Sequence, residues 1–214
     1  MTPVLPPEPH SNRLKRRGVA GLCLALCLGS GLALTGWRAN AQTVSPSQAT
    51  QALVPAQSEI TFVARQLGVP LDGRFKRFEA QLAFDPKQVA RSHIALGIDL
   101  GSVSMNPDAD VELVKPEWFN AGKFPKASFQ SSAIKALGAG RYEVRGQLTI
   151  KGKAQALLVP VQLSQSKGLT TATGAFALKR LDFKVGDGEW SDVSLVGNEV
   201  QVRFKLTFTG VPPL

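Results

Sequence analysis

The side chains that most often do chemistry, cysteine, histidine and grouped acids, are scarce in this chain of 214 residues. Its two cysteines, Cys23 and Cys27, lie in an uncharged N-terminal run, and its two histidines are His10 and His93. Beyond residue 41 there is no thiol for nucleophilic attack or metal ligation, and one imidazole. His93, without a second histidine beside it, reads as a surface residue near a strand end. Asp108, Asp110 and Glu112 form one acidic group that could attract a cation. Their spacing suits the start of a helix better, where carboxylates face the positive end of the helix dipole. No motif sets two carboxylates together in a pocket, as glycoside hydrolysis needs. Arg65 and Gln66 stand side by side; they could hydrogen-bond a carbonyl or phosphate at an opening, with a solvated surface pair as the alternative. These absences remove most catalytic and metal-site chemistry, so neither an enzyme nor a metal site is expected, with an enzyme working through carboxylates as the alternative.

With so little chemistry to position, the apolar residues carry the reading, and they fall on strands. From Arg141 onward, Tyr142, Val144, Gly146, Leu148 and Ile150 share one face, and Glu143, Arg145, Gln147, Thr149 and Lys151 the other. Period-two alternation with charges on one side marks a half-buried antiparallel strand. Lys151-Gly152-Lys153 turns the chain, and Gln155, Leu157, Val159, Val161 and Leu163 resume the period as the second arm of a hairpin. Val200, Val202, Phe204, Leu206 and Phe208 repeat it near the C-terminus. Further strands are read over Ser58–Ala64, Arg74–Phe84 with a bulge or bend between Phe75 and Phe78, His93–Val103, Ala127–Leu137 and Leu169–Leu178. Leu181, Phe183 and Val185 continue an apolar alternation after the last of these. Asp108–Lys115 is the one helix read outside the N-terminal segment. Asp108 is its expected cap, Pro116 its stop, and Val111, Leu113 and Val114 its buried stripe.

The N-terminal segment has the layout of a secretory signal peptide, residues 1–41, with an uncleaved membrane anchor as the alternative. Arg13, Lys15, Arg16 and Arg17 precede an uncharged run, and Ala39-Asn40-Ala41 supplies the small residues that a signal peptidase needs. The sequence therefore predicts export to the periplasm, a flexible leader over 42–52, and one domain over 53–214. The whole chain carries 25 Lys/Arg against 16 Asp/Glu, a net charge of +9. Without residues 1–41 the counts are 20 and 15, a net of +5. The basic residues are scattered singly on polar strand faces, which reads as a solvated surface, with attraction to anionic headgroups as the alternative. Export argues against nucleic acid as a partner.

Eight or so antiparallel strands with few helices indicate a sandwich or an up-and-down barrel, and eight strands make the smallest barrel able to hold one small ligand. Gly146, Ala127, Ala175 and Ala177, read as inward-facing, would leave room inside. Large facing residues could fill that room instead, leaving a structural, partner-binding β domain with a filled core.

An ordered set of short motifs narrows the choice. Ser58-Glu59-Ile60-Thr61-Phe62, Leu67-Gly68-Val69, Gly73-Arg74-Phe75, Phe84-Asp85-Pro86 and Gly101-Ser102-Val103 are followed by Trp118-Phe119, Lys123-Phe124-Pro125, Phe129-Gln130-Ser131-Ser132 and Leu148-Thr149-Ile150-Lys151-Gly152. In that order, over about Leu53 to Phe208, the chain resembles the YceI-like family. The resemblance implies an all-β, single-domain, eight-stranded antiparallel lipocalin-like barrel with one short helical segment. Its interior would hold a polyisoprenoid or quinone-type lipid, with no other cofactor. Family members found beside or fused to b-type cytochromes imply transient contact with a membrane surface or such a cytochrome. In such a barrel Phe62, Phe75, Phe78, Phe84, Phe129 and Phe183 would line the tunnel, although most phenylalanines of a β domain are simply core. Trp118, Phe119 and Phe124, in the irregular segment, would close the mouth, with Arg65 and Gln66 at the opening. Many family members carry histidine where this chain has Gln66 and Glu112, so contacts that rely on those histidines do not transfer.

Overall fold

The alternation from Arg141 onward folds as read. Tyr142, Val144, Gly146 and Leu148 are buried while Arg141, Arg145 and Gln147 are exposed. The computed structural model describes residues 50–214; the expected signal peptide and most of the leader lie outside the described residues. In chain order the strands are β1 (Ala52–Leu53), β2 (Glu59–Gln66), β3 (Val69–Phe75), β4 (Phe78–Ala83), β5 (His93–Asp99), β6 (Val103–Ser104), β7 (Lys126–Gly138), β8 (Arg141–Ile150), β9 (Lys153–Ser166), β10 (Leu169–Lys179) and β11 (Glu199–Thr209). Helix α1 (Pro107–Leu113) lies between β6 and β7.

All pairings are antiparallel, in the order β4-β5-β7-β8-β9-β10-β11-β2-β3-β6, with β1 on β11. The path begins at β4 and ends at β3 with the two-residue β6 on its edge, and only Lys76 and Arg77 separate β3 from β4. The two ends of this curled sheet therefore meet on one bent run of chain, whose first half pairs with β2 and second half with β5. Counted as one strand, that run leaves eight long strands around the ring. The bend expected between Phe75 and Phe78 is this corner. It is pinned by buried Ser102: Lys76 N–H donates to its carbonyl and Arg77 N–H to its Oγ, both at 3.0 Å.

Four two-residue turns join β2–β3, β7–β8, β8–β9 and β9–β10, each a residue followed by glycine with both φ positive: Leu67-Gly68, Ala139-Gly140, Lys151-Gly152 and Lys167-Gly168. Such turns match the twist of the strands they connect. Two connections are long, residues 100–125 between β5 and β7 and residues 180–198 between β10 and β11. Both lie at the end of the barrel that carries the β2–β3 and β8–β9 turns.

Several local expectations are corrected. The alternation Leu181, Phe183, Val185 is not strand: Arg180–Phe183 is a 3-10 turn, and Lys184 reverses the chain at φ 59°. Asn106, not Asp108, caps α1, its side chain accepting from Ala109 N–H at 2.9 Å with Pro107 in the first turn. Val111 points away from the protein and is 66% exposed. Ala175 and Ala177 face outward; β10 presents Ala172, Gly174, Phe176 and Leu178 inward. Gly146 does face inward, but the ring of Phe129 occupies its space, 2.5 Å from where a Cβ would stand. Gln51 and Ala52, read as leader, join the sheet. The Gln51 amide pairs with both backbone groups of Phe84, and Ala52 lies opposite Thr209.

Candidate functional site: a two-chamber interior

The inward faces enclose two adjoining spaces. The wider has a volume of about 560 Å³ and lies among the barrel wall, α1 and the two long connections. The narrower, about 130 Å³, is lined by aliphatic and aromatic side chains apart from Thr170 and Tyr142. Ile60, Ile98, Leu148, Phe176 and Val202 border both, so the two are adjoining chambers of one interior. The wide chamber opens where its lining residues are themselves exposed, at Arg65, Gln66, Asn106 and Asp108.

The wall of the wide chamber is fixed by a residue that sequence reasoning passed over. Arg180 is 3% exposed and has no carboxylate partner among the described residues. All five of its N–H groups are used on backbone carbonyls of the 180–198 connection. Nε donates to Gly197 (3.1 Å), Nη1 to Val185 (2.9 Å) and Gly186 (2.5 Å), and Nη2 to Trp190 (2.6 Å) and Val196 (2.7 Å). Burial alone pulls its pKa below the ordinary guanidinium value; the group nonetheless stays charged. Its guanidinium carbon lies 5.8 Å from the ring centroid of Trp118, which in turn packs on Trp190 with centroids 5.5 Å apart. The indole N–H of Trp118 is buried with no acceptor among the described residues. Lys151 ties the same end together from the β8–β9 turn, donating to the carbonyls of Lys184 (2.7 Å) and Glu117 (3.3 Å) and reaching Asp187 at 3.4 Å.

A family model described as the YceI-like domain matches residues 52–208. The chain belongs to the YceI-like family. Among solved structures it is similar to BcnA of Burkholderia cenocepacia, 40% identical, with a TM-score of 0.70 over 72% of this chain and 98% of that one. It also shares its fold with a polyisoprenoid-binding domain from Saccharophagus degradans, 18% identical, with a TM-score of 0.60 over 76% of this chain and 99% of that one. A UPF0312 protein of Vibrio cholerae is 28% identical over 106 residues, 49% of this chain, so the match spans about half of that relative's length (56%).

Within this YceI-like interior most of the expected residues come together. Phe62, Arg65, Gln66, Phe75, Trp118, Phe119 and Phe183 border the wide chamber. Phe84 and Phe129 border the narrow one, Phe84 edge-on to Tyr142 with centroids 5.3 Å apart. Phe78 and Phe124 border neither. Phe78, opposite Ile98, packs against the cluster of Ile60, Ala172, Leu206 and Phe208. Phe124 covers Gly152, whose absent Cβ would lie 3.0 Å from its ring. Trp118 does not close the mouth but forms the inner wall, 8% exposed. Gln66 and Glu112 both border the opening.

The acids at α1 are engaged separately. Asp110 accepts from Met105 N–H at 2.6 Å, and Glu112 pairs with Lys115 at 2.5 Å, which raises the lysine's pKa. Among the described residues no three acids, histidines or cysteines converge.

Proposed function

We propose that this protein is an exported, non-catalytic carrier that holds one long apolar molecule of isoprenoid type. The observation that carries the reading is the pair of adjoining apolar chambers inside the barrel. Its wide chamber falls within the roughly 300–1,000 Å³ usual for small-molecule sites, and its narrow extension is suited to a chain rather than a compact solute. An apolar void such as the narrow chamber stays dry, and its lining lacks dispersion partners until an apolar ligand supplies them. The fold shared with a polyisoprenoid-binding domain supports the same ligand class. In this reading the tail lies against Phe84 and Phe129, and Phe62, Phe75, Phe119 and Phe183 surround its middle. A quinone-type or polyprenol headgroup sits at the opening, where Arg65, Gln66 and Asn106 offer hydrogen-bond donors. The signal-like N-terminus supports a periplasmic location, where delivery to or from a membrane, or a membrane b-type cytochrome, is the use for such a carrier.

The test is a lipid extract of purified protein, followed by stripping and reloading. A ligand that binds only the folded state stabilises it by about 2.7 kcal/mol at a hundred times its dissociation constant. For a domain of this size that is several degrees of melting temperature. A long-chain prenyl quinone or polyprenol should restore that difference, and a short-chain quinone with the same headgroup should restore little. If stripped and reloaded protein melt together, and the extract holds no prenyl lipid, the carrier reading fails.

A further inference from the structure

We infer that the open end of the wide chamber is a docking surface for a zwitterionic lipid bilayer, and that anionic lipid turns it away. The proposal rests on the carrier reading for its purpose but on the surface for its content. Five of the eight large apolar side chains exposed among the described residues lie on elements that border this opening: Leu67, Val69, Val111, Val193 and Leu195, at 70, 58, 66, 55 and 41% exposure. They come from three separate elements, the β2–β3 turn, α1 and the 180–198 connection. The turn and the connection abut, since Leu67 N–H donates to the Leu195 carbonyl at 2.8 Å. Helix α1 borders the same opening through Asp108, Ala109 and Glu112.

Leu67 is the most telling of the five. It holds a left-handed φ of 51° at the first position of its turn, where Asn, Asp or Gly is favoured. The equivalent positions in the other turns carry Ala139, Lys151 and Lys167. A bulky apolar side chain kept in a strained conformation and left in solvent stabilises nothing in the fold itself. It is well placed to enter the acyl boundary of a bilayer.

Charge selects the kind of bilayer. Residues 100–125 and 180–198, with the turns 67–68 and 151–152 at the same end, carry eight Asp/Glu against five Lys/Arg, in a chain with 25 Lys/Arg against 16 Asp/Glu. At the far end the connections over residues 84–92, 139–140 and 167–168 carry one acid against three Lys/Arg. Asp108, Glu189 and Asp192 are exposed on the elements that frame the opening, and none is in an ion pair among the described residues. The basic composition would draw the molecule to anionic headgroups by its strand faces and far end. Its opening, carrying the opposite sign, would then point away from the membrane. A zwitterionic surface lacks that repulsion and leaves the apolar rim to decide the orientation.

Flotation of the full chain and of a Leu67→Asn, Val193→Asn variant tests this. Vesicles of pure phosphatidylcholine are compared with vesicles containing phosphatidylglycerol. Asparagine suits the turn, so folding is retained, and the N-terminal apolar run is common to both forms. On phosphatidylcholine the variant should bind roughly tenfold more weakly. On phosphatidylglycerol at low salt both forms should bind equally and be released by high salt. The inference is overturned if the variant binds phosphatidylcholine like the parent, if neither form binds it, or if rim-dependent binding strengthens with phosphatidylglycerol. Melting of both forms with and without a long-chain prenyl quinone separates the two ideas. A shift in neither form removes the carrier reading while leaving the docking result to stand or fall by flotation.

Discussion

The two ends of this barrel are built by different means. At the far end the chain turns in two residues at Ala139-Gly140 and Lys167-Gly168, and the interior is packed by Phe84, Tyr142, Leu206 and Phe208 down to about 130 Å³. Even the outer face is covered there: Thr207 is 1% exposed because its hydroxyl donates to the Gln57 carbonyl and its N–H to Ser58 Oγ. At the open end two long connections replace short turns, and about 560 Å³ is left between them and the wall. Side chains hold the far end closed by filling it. The open end is held by polar side chains, Arg180 and Lys151, that grip backbone carbonyls without filling the space between. A domain can therefore keep a void without collapsing onto it, provided the surrounding loops are fastened to one another rather than to the missing core.

Breaking the fastener should show the largest effect. Arg180→Met leaves five carbonyls of the 180–198 connection without donors, and we expect a loss of about 3–5 kcal/mol in denaturant unfolding. Hydrogen exchange should accelerate across residues 185–197 while β8 and β9 keep their protection. Arg180→Lys should recover little, because an ammonium cannot reproduce the planar fork. If Arg180→Met melts within a degree of the parent, the open end is held by something else.

Overfilling comes next. A Cβ at Gly73 would stand 2.3 Å from the Phe62 ring directly across the β2–β3 pair. Gly73→Ala should cost roughly 1–3 kcal/mol and weaken long-chain binding by driving Phe62 into the wide chamber. A smaller effect of opposite sign is expected from Ala172→Leu, which adds carbon to the narrow chamber. The ligand-free protein should gain up to about 1 kcal/mol and lose its preference for long over short prenyl chains in a thermal-shift titration. An unchanged chain-length preference would show that the tail does not reach the far end.

The smallest effect should be Asp192→Asn at the rim. The Ser194 hydroxyl and N–H hold the Asp192 carboxyl below its ordinary pKa. Its contribution is present above the ordinary carboxylate range and is lost as pH falls through the lowered value. The variant's melting temperature should differ slightly from the parent's at neutral pH and converge with it in acid. A constant offset at every pH would contradict the assignment.

Strands with hydropathic contrast were legible in the sequence. In β8 every outward residue from Arg141 to Gln147 is polar and every inward one apolar or glycine, so one parity fits. In β10 the faces are Thr171, Thr173, Ala175 against Thr170, Ala172, Gly174, and nothing separates them. Gly174 is inward because the Phe204 ring, paired opposite, lies over it, a fact visible only across strands. The aromatic lining was largely recovered, because inward phenylalanines in a barrel have few other places to go. Arg180 was missed because its partners are carbonyls, which leave no mark in the sequence, and because Leu181, Phe183 and Val185 imitate a strand. The opening's polarity was hidden for a different reason. Total charge sums over both ends, and the sign of one end reverses within that sum.

The corner at Lys76-Arg77 makes the ring a linear polymer looped onto itself, with one covalent link standing where other barrels have a seam of backbone pairs. The ends of the described residues lie close to each other elsewhere on the ring, Ala52 opposite Thr209. The order of strands in space is thus nearly independent of where the chain starts. Joining residue 50 to Leu214 with a short linker and reopening the chain between Lys76 and Arg77 would preserve every pairing while turning the corner into two free ends. Such a rearranged molecule would have a lateral slit in place of a hinge, and a guest could leave it sideways.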